Sequence, residues 1–391
     1  QERYVFIGRG IFKVLRQVIM EADQTEEKKQ HPAALPLLQE APPVIHEAHG
    51  LLLYDIAVIV GAIYQQVIEP TQAGRVPKRL ANKIWPLLHG HRHASTYQND
   101  DFYLDMVCDI ALHLGLLRLA ESTGQKARYM PGPQLSAWSQ MQIHEQVRLL
   151  LDLWWNPRND FWSDVAGAQY RPDGYSYYMD MRSARKTLLE YVAQECRPGQ
   201  WYTLESFLRT IKERDPLLLR TQSRYSSYGN TGHIRKTILA NWEQGDSQLI
   251  AGMLASSLYE LGLVTTGYLT DPSLNGAHEE PPGNAYAFKL TELAAAVFAP
   301  GDMAMPEEAR PTLIVQPNFE LLLLHPDFPT LYQLLPFVKV NQIEMVSRLT
   351  LTQESVRRGV EAGWNVERSL QTLREHSQKD LPQNVLYTMQ D

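Results

Sequence analysis

Apolar positions recur at helical spacing through Ile11–Ala22, Leu51–Gln66, Lys78–Leu88, Asp100–Leu114 and Ser136–Trp155. Short runs with strand character come after the fourth of these, at Leu116–Leu119 and Ala127–Met130, on either side of Gly124. The order then returns. Helical spacing covers Arg182–Glu195, Leu204–Arg214 and Gln248–Leu261. Strand-like runs cover Gln200–Thr203, Leu263–Thr270 and Ala285–Leu290, and Thr291 is placed to cap a helix through Phe298. Leu114-Gly-Leu-Leu-Arg-Leu119 and Leu261-Gly-Leu-Val-Thr-Thr266 are two versions of one phrase, a helix end, a glycine and a strand, which reads as a weak internal repeat.

The last stretch has a different texture. The strand-like run Thr312–Leu324 is followed by a helix near Phe328–Leu335 and a strand over Val346–Leu351. Thr352 and Glu354 then open a helix through Ala362, and Asn365 caps another through His376. The chain thereby divides into four segments. Residues 1–48 hold one helix, a polar run and a Pro-rich linker with Pro32, Pro36, Pro42 and Pro43. Residues 49–160 and 161–299 each spell a winged-helix order, the second with an insertion at 216–246. Residues 300–391 form a small α/β unit behind an acidic, Pro-containing linker. The fold class expected is α+β, mostly helical.

Composition narrows the functional classes. The 391 residues are 44% hydrophobic and 21% charged, ordinary for a folded chain and too many for one core. Net charge is −7, so any nucleic-acid contact has to be local and weak to moderate. Two cysteines far apart, Cys108 and Cys196, point to a reducing compartment without a disulfide framework. The apolar stretch from Leu51 to Ile63 is interrupted by Asp55 and Gly61 and is shorter than the ~20 residues of a membrane helix. The chain starts at Gln1 without Met, which leaves the natural N-terminus open; no secretory signal is legible in these residues, and a cytoplasmic location with no membrane contact is expected.

No enzyme is legible. There is no Gly-x-x-x-x-Gly-Lys-Ser/Thr phosphate loop and no Asp-Glu magnesium box. His89, His91 and His93 alternate as an extended metal-ligating trio would, but the acid expected after them is missing. A metal-dependent hydrolase is the remote alternative; a solvated loop is the plain reading, and no cofactor is expected.

Two surfaces stand out. The insertion combines Arg220, Arg224, Arg235 and Lys236, which can neutralise phosphates, with Tyr225 and Tyr228, which can stack on bases. Asp101, Asp105 and Asp109 form an acidic stripe at i, i+4 and i+8 on the third helix of the first winged-helix segment. Carboxylates there repel phosphate, so that helix is expected to face a protein partner instead of a DNA groove.

Thr312–Leu324, Arg348-Leu-Thr-Leu-Thr352, the helix pair around Gly359 and Gly363, and Leu381-Pro-Gln-Asn-Val385 together resemble the domain at the N-terminus of XPB-type helicases and in bacterial helicase-associated proteins. Thr71–Arg79 and Trp138–Gln146 are similar to the winged-helix part of the latter. The resemblance implies a non-catalytic DNA-binding or adaptor module that works beside a helicase or nuclease, in repair or in defence against foreign DNA. A purely protein-binding scaffold is the alternative.

Overall fold

In a computed structural model the described residues are 35–89, 100–120, 126–155, 181–219, 236, 239–243, 245–270, 285–298, 312–325 and 327–390. In chain order the elements begin with β1 (Val44–His46), α1 (Leu51–Gln65), α2 (Lys78–Ile84) and α3 (Asp100–His113). Next come β2 (Leu117–Ala120), β3 (Arg128–Pro131), α4 (Leu135–Trp138), α5 (Ile143–Trp155) and α6 (Met181–Glu195). Then come β4 (Trp201–Thr203), α7 (Leu204–Arg214), α8 (Asp246–Gly252), β5 (Val264–Tyr268), β6 (Ala287–Leu290) and α9 (Glu292–Phe298). The chain closes with β7 (Leu313–Val315), β8 (Glu320–Leu324), α10 (Phe328–Leu334), β9 (Lys339–Gln342), β10 (Val346–Thr350), α11 (Gln353–Glu361), α12 (Val366–His376) and α13 (Gln383–Gln390). The fold is α+β, with three small antiparallel sheets among the described residues.

The chain forms two compact units. One contains residues 1–50, 95–98 and 147–305; the other contains 51–94, 99–146 and 306–391.

The first unit is built on a sheet of order β1-β5-β6-β4. Thr203 ends β4 and caps α7, its hydroxyl accepting from the Ser206 N–H at 3.3 Å. Thr291 does the same for α9, accepting from Ala294 at 3.1 Å. The Pro-rich passage, read from the sequence as a linker, leads into the edge strand β1, which pairs with β5 through Val44↔Tyr268. Pro42 lies on Gly267: a Cβ there would meet Pro42 Cγ at 2.3 Å, so only glycine leaves room for the crossing segment. The helix expected at Gln248–Leu261 starts two residues earlier, at Asp246, and continues after α8 as a π-helical stretch, Met253–Leu258. The expected helix Ile11–Ala22 lies outside the described residues.

The second unit is organised by α1. Eleven consecutive residues, Leu51–Gly61, are buried. An all-round apolar helix of this kind belongs at the centre of a core. It packs on α3, β3, β9 and α11. Gly61 allows the close approach of β9, since a Cβ there would meet Val340 Cγ2 at 2.8 Å. The one acid in this buried run, Asp55, is hydrogen-bonded: its Oδ1 accepts from the His89 backbone N–H at 2.6 Å and lies 3.0 Å from His89 Nδ1, and its Oδ2 accepts from the Tyr103 hydroxyl. Hydrogen bonds of this kind offset the cost of burying a carboxylate. No helix among the described residues is long and apolar enough to cross a membrane.

Several sequence expectations shift here. The run Thr312–Leu324 is a hairpin, β7 and β8, because Pro317-Asn318 turns the chain and Phe319 adopts φ 66°. The expected helix 136–155 is two helices. Glu145 Oε2 accepts from the Gln142 N–H at 2.9 Å and so caps a fresh start before α5. Helix α2 ends before Pro86, which sits in a 3₁₀ turn. Strand β9 and helix α13 are additions to the pattern read from the sequence, although Val338 and Val340 alternate with exposed Lys339 and Asn341.

The third helices of both halves end alike. After α3, Gly115 (φ 69°) donates to Leu112 O, and Leu116 donates to Ala111 O at 2.9 Å. Ahead of β5, Gly262 (φ 79°) donates to Tyr259 O, and Leu263 donates to Leu258 O at 2.8 Å. Each is a Schellman closure, which needs a left-handed residue.

These environments differ in the cost of a substitution. Gly74 has φ 76° and open space around it, whereas a Cβ on Gly262 would meet the Gly50 nitrogen at 2.8 Å. Gly74→Ala is expected to cost about 1–2 kcal/mol from backbone strain alone. Gly262→Ala is expected to cost about 2–5 kcal/mol, because the clash adds to the strain. Urea midpoints of the two variants check the order. Asp152 is buried, neither carboxylate oxygen has a hydrogen-bond partner among the described residues, and burial pushes its carboxyl up to about 7. In the unfolded chain the same group titrates near ~3.9. The folded state therefore holds the proton longer, and stability falls as pH rises from about 4 to about 7, then levels off. Asp152→Asn is expected to melt above the parent protein at pH 8, with the gap closing near pH 4. Thermal melts across that range check it.

Candidate nucleic-acid and partner interfaces

The basic insertion is anchored at both ends. On its N-terminal side α7 supplies Lys212, whose Nζ lies 2.5 Å from Glu243 and 5.3 Å above the Trp242 ring. Trp242, Leu218 and Leu219 are buried. Arg214 pairs with Glu195, tying α7 to α6. Of the residues expected to touch nucleic acid, Lys236 is helical and exposed. Arg220, Arg224, Tyr225, Tyr228 and Arg235 lie outside the described residues.

The acidic stripe falls on α3. Asp101 is helical, and its side chain lies outside the described residues. Asp105 is half-buried and paired with Arg75 at 3.4 Å. Asp109 is exposed, yet the neighbouring protein desolvates it enough to raise its carboxyl above the ordinary value. So Asp109 is the described member of the stripe that faces solvent, and Asp105 is in part engaged within its own unit.

His89 is not in a solvated loop. It is 6% exposed, its ring stands 5.2 Å from Tyr54, and its Nδ1 is committed to Asp55. His91 and His93 lie outside the described residues, among which no group of three or more His, Cys, Asp or Glu could hold a metal. Cys108 and Cys196 are free and buried, and burial pushes both thiols up, which leaves little reactive thiolate.

Both helices that would stand third in a winged helix are largely covered. Between Tyr103 and His113 on α3, only Asp109 and His113 are exposed. From Asp246 to Glu260, only Gln248 is exposed. By contrast, α11 and α12 present open polar faces. Glu354 on α11 accepts from Arg357, at 2.9 Å, and from Arg358, at 2.6 Å. These bonds, Arg357 foremost, hold its carboxyl down to about 2. Arg357 also pairs with Glu361. On α12 the Arg368 guanidinium stacks on the Trp364 ring at 4.1 Å. Arg368, Gln371 and Arg374, separated by threes, are exposed on α12.

The chain matches none of the curated proteins at a meaningful level of similarity. Residues 313–391, from β7 onward, match the family described as the helicase conserved C-terminal domain; about a fifth of the chain is thus similar to a helicase domain, which supports a helicase-related role.

Proposed function

We propose that this protein is a non-catalytic module that holds DNA and docks a helicase or nuclease in bacterial DNA repair or in defence against foreign DNA. One observation carries the reading: a helicase-type segment at 313–391 sits in a sequence that spells no phosphate loop. The fuel-burning step then lies outside these 391 residues.

The order of elements supports a tandem winged-helix reading. In the first unit α6, β4, α7, α8, β5 and β6 succeed one another, and β6 lies between β4 and β5. That is the helix–strand–helix–helix–strand–strand order of a winged helix, with β1 added outside β5. In the second unit α1, α2, α3, β2 and β3 repeat it without a first strand. There the Tyr129 N–H donates to Ile68 O at 2.9 Å, a single hydrogen bond where that strand would pair. The XPB-type character of the C-terminal segment is part of the same proposal.

A second reading, a scaffold that touches only protein, is favoured by the burial of α3 and α8, since neither offers a face to a groove. The two readings separate in one assay. Mobility shifts with short duplex and single-stranded DNA, across a salt series, are expected to show weak binding that strengthens steeply at low salt. Replacing Arg220, Arg224, Arg235 and Lys236 with Ala is expected to reduce the slope of log K against log salt by about 3 to 4. No shift at any salt, with a protein partner co-purifying, supports the scaffold. Nucleotide hydrolysis by the purified chain alone would refute both.

A further inference from the structure

We propose that the basic faces of α2 and of the β2–β3 hairpin hold the phosphate backbone of duplex DNA through Lys78, Arg79, Lys83, Arg118, Lys126 and Arg128. This rests on the proposed DNA-binding role and adds to it a contact surface separate from the insertion, in the unit that contains 306–391.

The sequence sets up both faces. From Pro70 to His89 the chain contains Arg75, Lys78, Arg79 and Lys83 and no Asp or Glu. On α2, Ala81 and Ile84 are buried and Leu80 is half-buried, which leaves Lys78, Arg79, Asn82 and Lys83 exposed. Lys78 and Asn82 are four apart, as are Arg79 and Lys83, so the four side chains share one side of the helix. The hairpin divides in the same way. Leu117 and Tyr129 are buried on one face. Arg118 is registered with Met130 and Arg128 with Ala120, which puts the two arginines diagonally across the other face. Lys126 is exposed just ahead of β3. Tyr129 ties the two parts together. Its N–H donates to Ile68 O at 2.9 Å, and its hydroxyl donates to Gly74 O at 2.9 Å. The hairpin is thereby fixed on the segment that leads into α2.

These cations are uncommitted. Among the described residues none of the six pairs with a carboxylate, and Arg118 only donates to Pro131 O at 3.3 Å. Arg75 differs, since Asp105 neutralises it at 3.4 Å. Arg357 and Arg358 on α11 differ in the same way, held by Glu354 and Glu361. Glu69 and Asp109 are the exposed acids of the adjoining turn and helix, two carboxylates against six cations, and Glu121 in the hairpin loop lies outside the described residues. Exposed charges are screened over ~8 Å at physiological salt, so a net charge of −7 spread along the chain does not cancel this local surplus.

Charge complementarity names the occupant. Duplex DNA carries one negative charge per ~1.7 Å of axis, and each phosphate that a cation neutralises releases counterions. A single strand is gripped by stacking its bases on exposed rings, and the described aromatic residues here, Trp85, Tyr103 and Tyr129, are buried. The segment similar to a helicase domain lies in the same unit and shares its central helix: α1 packs on β3 as well as on β9 and α11. Lysine and arginine contacts to phosphate position the duplex without reading its bases, so the grip is independent of sequence.

The test uses the full chain and two duplexes of unrelated sequence, each about 20 base pairs or two helical turns, across a salt series. K78Q/R79Q/K83Q and R118Q/K126Q/R128Q remove the charges and keep the side-chain stems. Each triple variant is expected to bind both duplexes about tenfold or more weakly at low salt, and to reduce the slope of log K against log salt by about 2 to 3. R118K/R128K keeps the charges and is expected to keep the parent slope, because phosphate accepts a lysine as a point charge. All six side chains are exposed, so circular dichroism and melting should match the parent protein. R209Q on α7, where Arg209 pairs with Glu205 at 2.8 Å, is the surface control. If either Gln triple leaves the slope unchanged, or if R118K/R128K loses as much as the hairpin triple, the inference is overturned while the DNA-binding reading stands. If polyglutamate at equal charge displaces the duplex as well as competing duplex does, the occupant is an acidic protein and the inference is again overturned. If the parent protein binds no DNA, both fall.

Discussion

A helix cannot simply stop. Its last carbonyls lose their partners, and in a covered position each must be satisfied or the end is unstable. This protein meets the requirement in one way three times, with a left-handed glycine at Gly115, Gly262 and Gly363. Each turns the backbone so that the next N–H groups reach back into the helix. At Gly115 and Gly262 the reversed chain runs directly into β2 and β5. At Gly363 it runs instead into α12. The same local device therefore produces two helix-to-strand junctions and one helix-to-helix junction. The residues after the glycine make the difference: branched apolar side chains beyond Gly262, and a capping Asn365 beyond Gly363.

Burial then sorts the helices by role. Helix α1 is apolar on every side and serves as the centre of its unit, with Asp55 accommodated by His89 and Tyr103. Helices α3 and α8, which would be the groove readers under the proposed winged-helix reading, are largely covered. Their side chains are spent on the core. Among the described helices, α2, with Lys78, Arg79, Asn82 and Lys83 exposed, and α11 and α12 present open polar faces. Lys212, Trp242 and Glu243 tie α7 to the chain that follows the insertion.

Much of this is legible in the residues. The boundaries of α1, α3, α6, α7 and α12, and the pairing of β2 with β3, come from apolar spacing and from residues that cap helices or break them. Thr203, Thr291, Thr352 and Asn365 all cap the helices that the sequence assigns to them. The failures have local causes. Thr312–Leu324 contains enough consecutive apolar residues to pass for one strand, and its turn rests on Pro317-Asn318 alone. The break before α5 depends on Glu145 reaching back to Gln142, a contact that spacing does not announce. The alternation that marks β9 is short and is masked by the apolar residues around it.

The part that the sequence determined by itself is local: periodicity sets which residues can share a face, and caps and glycines set where each element ends. Whether a face meets solvent or protein is a different matter. His89 reads as one of three exposed imidazoles until Asp55, 34 positions away, is seen to hold it in the core. β1 reads as linker until β5, more than two hundred residues later, pairs with it. Such contacts join segments that carry no mark of each other in their own composition. Only the folded chain brings them within hydrogen-bonding distance, and so only the tertiary structure decided which polar residues remain available for a partner.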